Sequence, residues 1–543
     1  MASPMNRRTW IKSSAGYVAA SGLLGGCAPG EEGRRKEQPD ETGLNVYFGD
    51  IHNHNSVGYA RGTMERAYEI AAGHLDFFAF TPHSHWPDVP IMEQDKHMKW
   101  LDGFEVTRRR WPDVIAANKS CNEPGAFVVF HAYEWHSSEF GDYVILFPGD
   151  DEKLTHFDKL EELQEFAFEK GALLIPHHPA YRQGRRGANP KFWDPRVTQL
   201  LEIFSEHGNA ECDEGPGDYI RHSMGGRWSA NTLQAILKEG HRVGVLASTD
   251  DHLGCPGAYG EGLAAVLAPE LTREAVFDAL KKRRCYGVTG DRIAIDFRLN
   301  GHLMGEETAW REDRSVYAAV SGWDRLDRVE LLRNNRVVHR DFPMDKEVPA
   351  GVWDRPLLLR VELGWGPWGS LDMARVCDWE MDIGIKGGKI IGFQPCFQAG
   401  PLEEERRNRV RAIGDNTLRL SSYTSRRQAF EERPTNAVVL KLTAGPEAML
   451  EIDLKKPSAQ VVRRKLAGLL EAGDVIFTGP FPDESILVHR LVPETLYESS
   501  FTLTDRSGGE TTDWYYLRVV QANGQMAWSS PIWVERKGVA PKG

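Results

Sequence analysis

Six apolar runs in this 543-residue chain stop abruptly at residue types that bind metal ions. The run at 46–48 leads into Gly49-Asp50-Ile51-His52-Asn53-His54, and the run at 75–80 into Thr81-Pro82-His83-Ser84-His85. Residues 127–130 lead into His131-Ala132-Tyr133-Glu134-Trp135-His136, and 173–175 into Pro176-His177-His178-Pro179. Residues 200–204 precede Ser205-Glu206-His207, and 243–246 precede Ser248-Thr249-Asp250-Asp251-His252. Neutral imidazole and carboxylate together suit Zn, Mn or Fe. His52-x-His54 and Asp250-x-His252 each place two ligands on one side of an extended segment, because side chains alternate with period two. Of the 18 histidines, 15 fall between His52 and His252, far from an even spread. His74, His97, His156, His222 and His241 are read as surface or core-polar residues.

Short apolar runs separated by longer helix-permitting stretches predict buried parallel strands in βα units. In a closed βα barrel the C-terminal strand ends converge on one rim, which would gather these ligands. Residues 45–291 hold about seven such units, with helices predicted at 63–72, 159–170, 231–239 and 272–284 and a further strand at 262–267. Thr272 is an N-cap residue type, and the basic end of its helix suits the helix dipole. After Gly290 the pattern changes. Segments 293–299, 315–321, 328–332, 357–363, 437–442, 448–454 and 514–520 read as strands, with a short helix near 460–470. Asn-Gly at 300–301 and 523–524 and Gly-Gly at 387–388 read as turns. Residues 292–543 are therefore expected to form a β-rich, sandwich-like domain with an insertion between about 366 and 433.

Composition is that of a globular protein, with 41% hydrophobic and 27% charged residues, and the length requires more than one domain. A net charge of −12 argues against nucleic-acid binding. Asn6-Arg7-Arg8-Thr9-Trp10-Ile11-Lys12 resembles a twin-arginine export signal, and Leu24-Gly25-Gly26-Cys27 resembles a lipobox with Cys27 as the acylated residue. Residues 1–27 are thus expected to be a signal peptide and 28–44 a polar tether. The expected location is the bacterial periplasm or cell envelope, with the membrane touched only through the lipid on Cys27. Six further cysteines remain, of which Cys377 and Cys396 are the favoured disulfide pair.

The histidine and carboxylate motifs resemble the PHP (polymerase and histidinol phosphatase) superfamily of metal-dependent phosphoesterases over 45–291. Within it the closest resemblance is to the DUF3604 family. Gly262-Leu263-Ala264-Ala265-Val266 with the helix after it carries that likeness. So do Trp514-Tyr515-Tyr516-Leu517-Arg518-Val519 and Ala527-Trp528-Ser529-Ser530-Pro531-Ile532-Trp533. The resemblance implies a distorted (β/α)7-type barrel. It implies that His52 and His54 share one ion with Glu134 and Asp250, and that Glu134 bridges to a second ion held by His177 and His207. His83 and His252 would belong to a third position. Two divalent ions (Zn, Mn or Fe) are expected. The third position departs from the family pattern, since Pro82-His83 replaces Asp-His and Val57-Gly58-Tyr59-Ala60 lacks a ligand; His85 or His136 could substitute. His178 stands as an alternative to His177, and Glu206 to His207. His131 and His136 are read as outer or packing residues, and Asp50 as orienting a ligand.

A hydroxide shared by two such ions would hydrolyse a phosphate ester without a protein nucleophile. Glu134 and Asp250 would carry the chemistry, with Arg182 and Arg185 on the anionic substrate, which could be carbohydrate-linked. Arg61, Arg186, Arg221 and Arg227 are further anion-binding candidates. Hydrolysis of a sulfate or other ester on the same centre is the alternative. A metal-stabilised binding protein is the alternative of another class, disfavoured because structural sites prefer closed His/Cys coordination.

Overall fold

The computed structural model describes residues 43–535 except 222–224, 349, 365–375, 400–405, 426–434, 481–482 and 507–511. The expected signal peptide with Arg7, Arg8 and Cys27, nearly all of the tether, His222 and parts of the 366–433 insertion lie outside the described residues.

The first half alternates strands and helices: β1 (Asn45–Asp50), α1 (Met64–His74), β2 (Phe77–Phe80), β3 (His83–His85), α2 (Met98–Cys121), β4 (Val128–Trp135), β5 (Tyr143–Phe147), α3 (Leu160–Lys170), β6 (Leu173–Pro176), β7 (Leu200–Ser205), β8 (Gly208–Asn209), α4 (Leu233–Lys238), β9 (Gly244–Ala247), β10 (Leu263–Ala268), α5 (Arg273–Lys281) and β11 (Cys285–Val288). Three predicted helices start at threonine or next to it because the hydroxyl satisfies an open backbone N–H: Thr63 accepts from Arg66, Thr232 from Ala235 and Thr272 from Ala275. Thr272→Ala should therefore cost about 1 kcal/mol, read as a lower urea midpoint. The longest helix, α2, has no counterpart in the sequence reading. Its buried positions (Gly103, Phe104, Thr107, Trp111, Val114) recur every three to four residues, but Pro112 and a run of charges mask them.

The main sheet runs β11-β10-β1-β2-β4-β5-β6, and β7 lies parallel to β9 in a separate three-stranded sheet with β8. The all-parallel expectation is corrected here. β1, β2 and β4 are parallel, whereas β5, β6, β10 and β11 pair antiparallel with their neighbours. Between β4 and β5 the cause is plain, since residues 136–142 are too few for a crossover and force a hairpin. β7 packs beside β6 and β9 beside β10 and β11, but no ladder joins these pairs among the described residues. The ligand-bearing ends are instead stitched by single backbone bonds. Asp250 N–H donates to His52 O (2.8 Å), His54 N–H to Asp251 O (2.9 Å) and Glu206 N–H to Thr249 O (2.9 Å). Gly262 (φ +124°) permits the close passage this needs, because a Cβ there would lie 2.4 Å from Ser248 O.

The strands after residue 291 are β-rich as expected, but they do not begin behind a gap. β11 pairs with strand Met526–Ser529, and one hydrophobic core runs from Phe48 to Val534. Strands Ala294–Leu299, Asp313–Ser321 and Glu498–Arg506 form a sheet whose Phe297, Val316 and Ala318 share that core with Val329, Leu517 and Val519. A second core spans Val352 to Leu491 around a nine-stranded sheet. Strands Val376–Cys396, Arg409–Gly414 and Thr417–Ser425, within the expected insertion, belong to it together with Leu357–Leu363. The segments read as two strands at 437–442 and 448–454 are one, Asn436–Lys456. Gly387-Gly388 is no turn either: it lies inside Val376–Cys396, where Gly387 (φ +79°) accompanies a register shift. The predicted helix near 460–470 divides into strand Gln460–Lys465 and helix Leu466–Glu471. The expected Cys377–Cys396 disulfide is absent and all six thiols are reduced. The two residues stand near opposite ends of the same extended strand, far beyond disulfide reach.

Candidate metal centre

Each ligand-type side chain sits at or just past the C-terminal end of its strand: His52 and His54 after β1, His83 opening β3 after β2, Glu134 in β4, His177 after β6, His207 after β7, and Asp250 and His252 after β9. All eight converge. His54 Nε2 lies 3.2 Å from His52 Nε2, 2.9 Å from Asp250 Oδ1 and 3.6 Å from Glu134 Oε2. Glu134 Oε1 is 2.6 Å from His177 Nε2, while its Oε2 is 3.4 Å from His83 Nε2. His207 Nε2 meets Asp250 Oδ2 at 2.9 Å. Ligand atoms of His52, His54 and Asp250 lie within 4.8 Å of one another, as do those of His54, His83 and His252.

The paired alternatives are separated by geometry. His177 faces Glu134, whereas His178 (φ +32°) turns to Asp142 Oδ2 at 3.4 Å. Glu206 Oε1 accepts from His252 Nδ1 at 3.0 Å, which orients that ring, and His207 points into the cluster. Glu134 and His136 share one face of β4, whereas His131 faces the other and lies 3.4 Å from the Asn118 amide. His85 is at the rim, 3.0 Å from Asp158. Asp50 touches no imidazole. It accepts Thr249 Oγ1–H (2.7 Å) and Gly257 N–H (2.9 Å), fastening β1 to the Asp250 segment. Where the family pattern wants a ligand after His54, the Tyr59 ring stacks on His83 at 3.7 Å.

Two functional-looking residues escaped the sequence reading. Glu202, on β7, accepts from His52 Nδ1 at 2.9 Å and so leaves His52 Nε2 for the centre. Asp142 is buried between Arg186 Nε (2.7 Å), His136 Nδ1 (3.2 Å) and His178 Nε2. Arg186 was named as an anion-binding candidate, but its buried carboxylate partner was not foreseen. A lone carboxylate inside the apolar run Leu200-Leu201-Glu202-Ile203-Phe204 was the available signal for Glu202. Arg182 and Arg185, expected on the substrate, are both exposed, and Arg182 lies over the Trp228 ring at 5.1 Å.

Burial holds His52 down at about 4 and His54, His83 and His177 well below the usual imidazole range, so these rings are neutral at pH 7 and offer lone pairs. Burial, then Asp142 and Asp250, push Glu134 well above the carboxylate range. Burial alone would raise Asp250 too, but His52 and His207 outweigh it and hold it low. Among the described residues no Lys or Arg forms an ion pair with Glu134, Glu202 or Asp250, all at most 2% exposed. Buried Glu134 Oε2, Glu202 Oε1, His54 Nδ1 and His83 Nδ1 have no hydrogen-bond partner. Buried carboxylates without a lysine or arginine partner are costly. Divalent ions fit this donor set in charge and ligand type.

Fold and site define a mixed α/β protein with a buried histidine–carboxylate centre suited to divalent metals. A family model described as "Protein of unknown function (DUF3604)" matches residues 258–320, the segment holding β10, α5 and β11. Over this segment the chain is similar to the DUF3604 family, in the region where Gly262–Val266 and the α5 helix carry the resemblance. An uncharacterized protein of Chlamydia trachomatis is 26% identical over 268 residues, 44% of this chain and 43% of its own length. One from Chlamydia pneumoniae is 35% identical over 199 residues, 34% of this chain and 32% of its own. The chain thus matches less than half the length of these relatives. A solved two-domain protein from Bacteroides vulgatus, described as containing a predicted PHP-like metal-dependent phosphoesterase, aligns at 14% identity over 53% of this chain and 80% of its own, with a TM-score of 0.30.

Proposed function

We propose that this chain is an exported metal-dependent hydrolase that cleaves a phosphate ester, on a PHP-type barrel whose ring of strands is broken beside β7 and β9. The observation that carries the reading is Glu134. It lies buried with one oxygen toward His177 and the other toward His54 and His83. His52, His54, Glu134, His177, His207 and Asp250 would hold two ions, and His83 with His252 a third. Ions bound there would supply Lewis acidity and an acidified water. Glu202 and Glu206 orient His52 and His252. Arg186, over the Trp86 ring at 5.2 Å and held by Asp142, takes the anion-binding role first expected of Arg182 and Arg185. The sequence motifs around Arg7-Arg8 and Cys27 support export and lipid anchoring.

Metal analysis of purified protein with a panel of nitrophenyl phosphate monoesters, diesters and sulfates tests this directly. Co-purified Mn, Zn or Fe with phosphatase activity is expected. Sulfatase activity alone would favour the other ester class, and a metal-free inactive protein would refute the reading. On an accepted ester, Arg186→Lys should raise KM about tenfold or more, since a charge-assisted hydrogen bond contributes about 1.5–3 kcal/mol. Arg185→Ala should change it by less than about threefold, as its side chain is exposed.

A further inference from the structure

The two aromatic-rich C-terminal motifs at 514–519 and 527–533 lie outside the metal centre, yet both bear on it from behind. Strand Asp513–Gln521 pairs with Met526–Ser529, which pairs with β11. From these strands Tyr516 OH (2.7 Å), Arg518 Nη1 (3.0 Å) and Trp528 Nε1 (2.8 Å) all donate to the carboxylate of Glu211, which has no exposed surface. Glu211 follows β8, whose hairpin with β7 turns through Glu206 and His207. Trp528 also stacks on Phe204, the residue two before that turn, at 6.0 Å. Arg518 is itself fixed by Glu330 at 2.7 Å. The second motif reaches the other ligand strand. Ser530 Oγ accepts the Val245 N–H of β9 at 2.9 Å and donates to Cys285 O at 2.6 Å. β9 continues into Asp250, and His207 Nε2 meets Asp250 Oδ2.

We infer that Glu211, with Tyr516, Arg518 and Trp528, is a positioning device for His207, so that the C-terminal sheet completes the metal centre without touching the ion. Three donors on one buried carboxylate fix the foot of the β7–β8 hairpin, and the hairpin's short span passes that rigidity to His207. The anchor is a carboxylate with no exposed surface, so an amide in its place takes from Arg518 one of its two carboxylate partners and loosens the hairpin. The inference rests on the reading that His207 and Asp250 hold a divalent ion.

The test uses the full chain, stripped of metal and titrated with Co2+, reading d–d absorption and bound cobalt. Glu211→Gln should weaken uptake at one site about tenfold or more and shift its visible bands, the range seen when outer partners of metal ligands are lost. Tyr516→Phe should act in the same direction more weakly. Tyr515→Phe is the control. Its hydroxyl, on the opposite face of the same strand, binds Asp505 at 2.6 Å, and its loss should lower thermal stability but leave cobalt binding unchanged. If Glu211→Gln does not fold, Tyr516→Phe against Tyr515→Phe decides alone. Wild-type-like cobalt binding in Tyr516→Phe and any folded Glu211→Gln, or equal effects of the two tyrosine variants, would overturn the inference. A wild-type chain that takes up no cobalt would overturn the site reading, and this inference with it.

Discussion

Glu134→Gln should lower ester hydrolysis by about a thousandfold while the chain stays folded. The side chain is 1% exposed and divides its two oxygens between His177 and the His54/His83 side of the cluster. An amide keeps the shape but removes the negative charge that divalent ions bound beside it would require. The several kcal/mol of charge stabilisation that such ions would supply then goes, which at 1.36 kcal/mol per decade is about three powers of ten. Stability should move the opposite way in the stripped protein. Burial and the nearby Asp142 and Asp250 make the charged form of Glu134 unfavourable, so the neutral amide relieves that conflict. The metal-free variant should therefore melt no lower than metal-free wild type, and added Mn or Zn should raise the melting point of wild type only. Full activity in Glu134→Gln would move catalysis away from this cluster and bring the metal-stabilised binding protein forward.

The clustering side chains were legible because each is of a metal-binding type and follows a short apolar strand, and the ends of those strands meet in space. Glu134 was chosen from the family resemblance; its separation from His131 onto the opposite face of β4 is a finding of the structure. What could not be read were contacts that depend on how strands pair. The antiparallel turn from β4 to β5 brings Asp142 back beside His136 and His178, which no spacing announces. Likewise the ladder from β11 into Met526–Ser529 joins residues 241 positions apart, so a boundary drawn at the change of pattern near 291 crosses a continuous sheet. The difference between Arg185 and Arg186 lies in backbone direction. Arg186 takes a left-handed φ of +68°, and its guanidinium lies inward over Trp86 and against Asp142, while the Arg185 side chain is exposed.

That inward arginine makes Asp142 the position where a single substitution should most damage stability. Asp142 has no exposed surface, and Arg186 binds its Oδ2 through Nε and Nη2 while the Ser137 N–H donates to Oδ1. Asp142→Asn keeps the volume but leaves the partly buried guanidinium without its countercharge, close to a centre suited to cations. Breaking a buried pair in this way costs about 3–5 kcal/mol, equivalent to a melting-point drop of about 5 °C for a body of this size. Burial would raise the Asp142 carboxyl, but Arg186 and His136 outweigh it and hold it well below the usual carboxylate range. A carboxyl depressed by folding stabilises the native state above its unfolded value, and that contribution fades as pH falls through the folded value. The deficit of Asp142→Asn against wild type should thus stay constant from about pH 5 to 8 and shrink only below about pH 4. Changing both partners, Asp142→Leu with Arg186→Met, should restore part of the lost stability, because it removes the stranded charge as well as its partner. Thermal melts across pH on the single and double variants would decide the matter. A double variant no more stable than Asp142→Asn would mean that Asp142 acts chiefly through His136 and His178, not through Arg186.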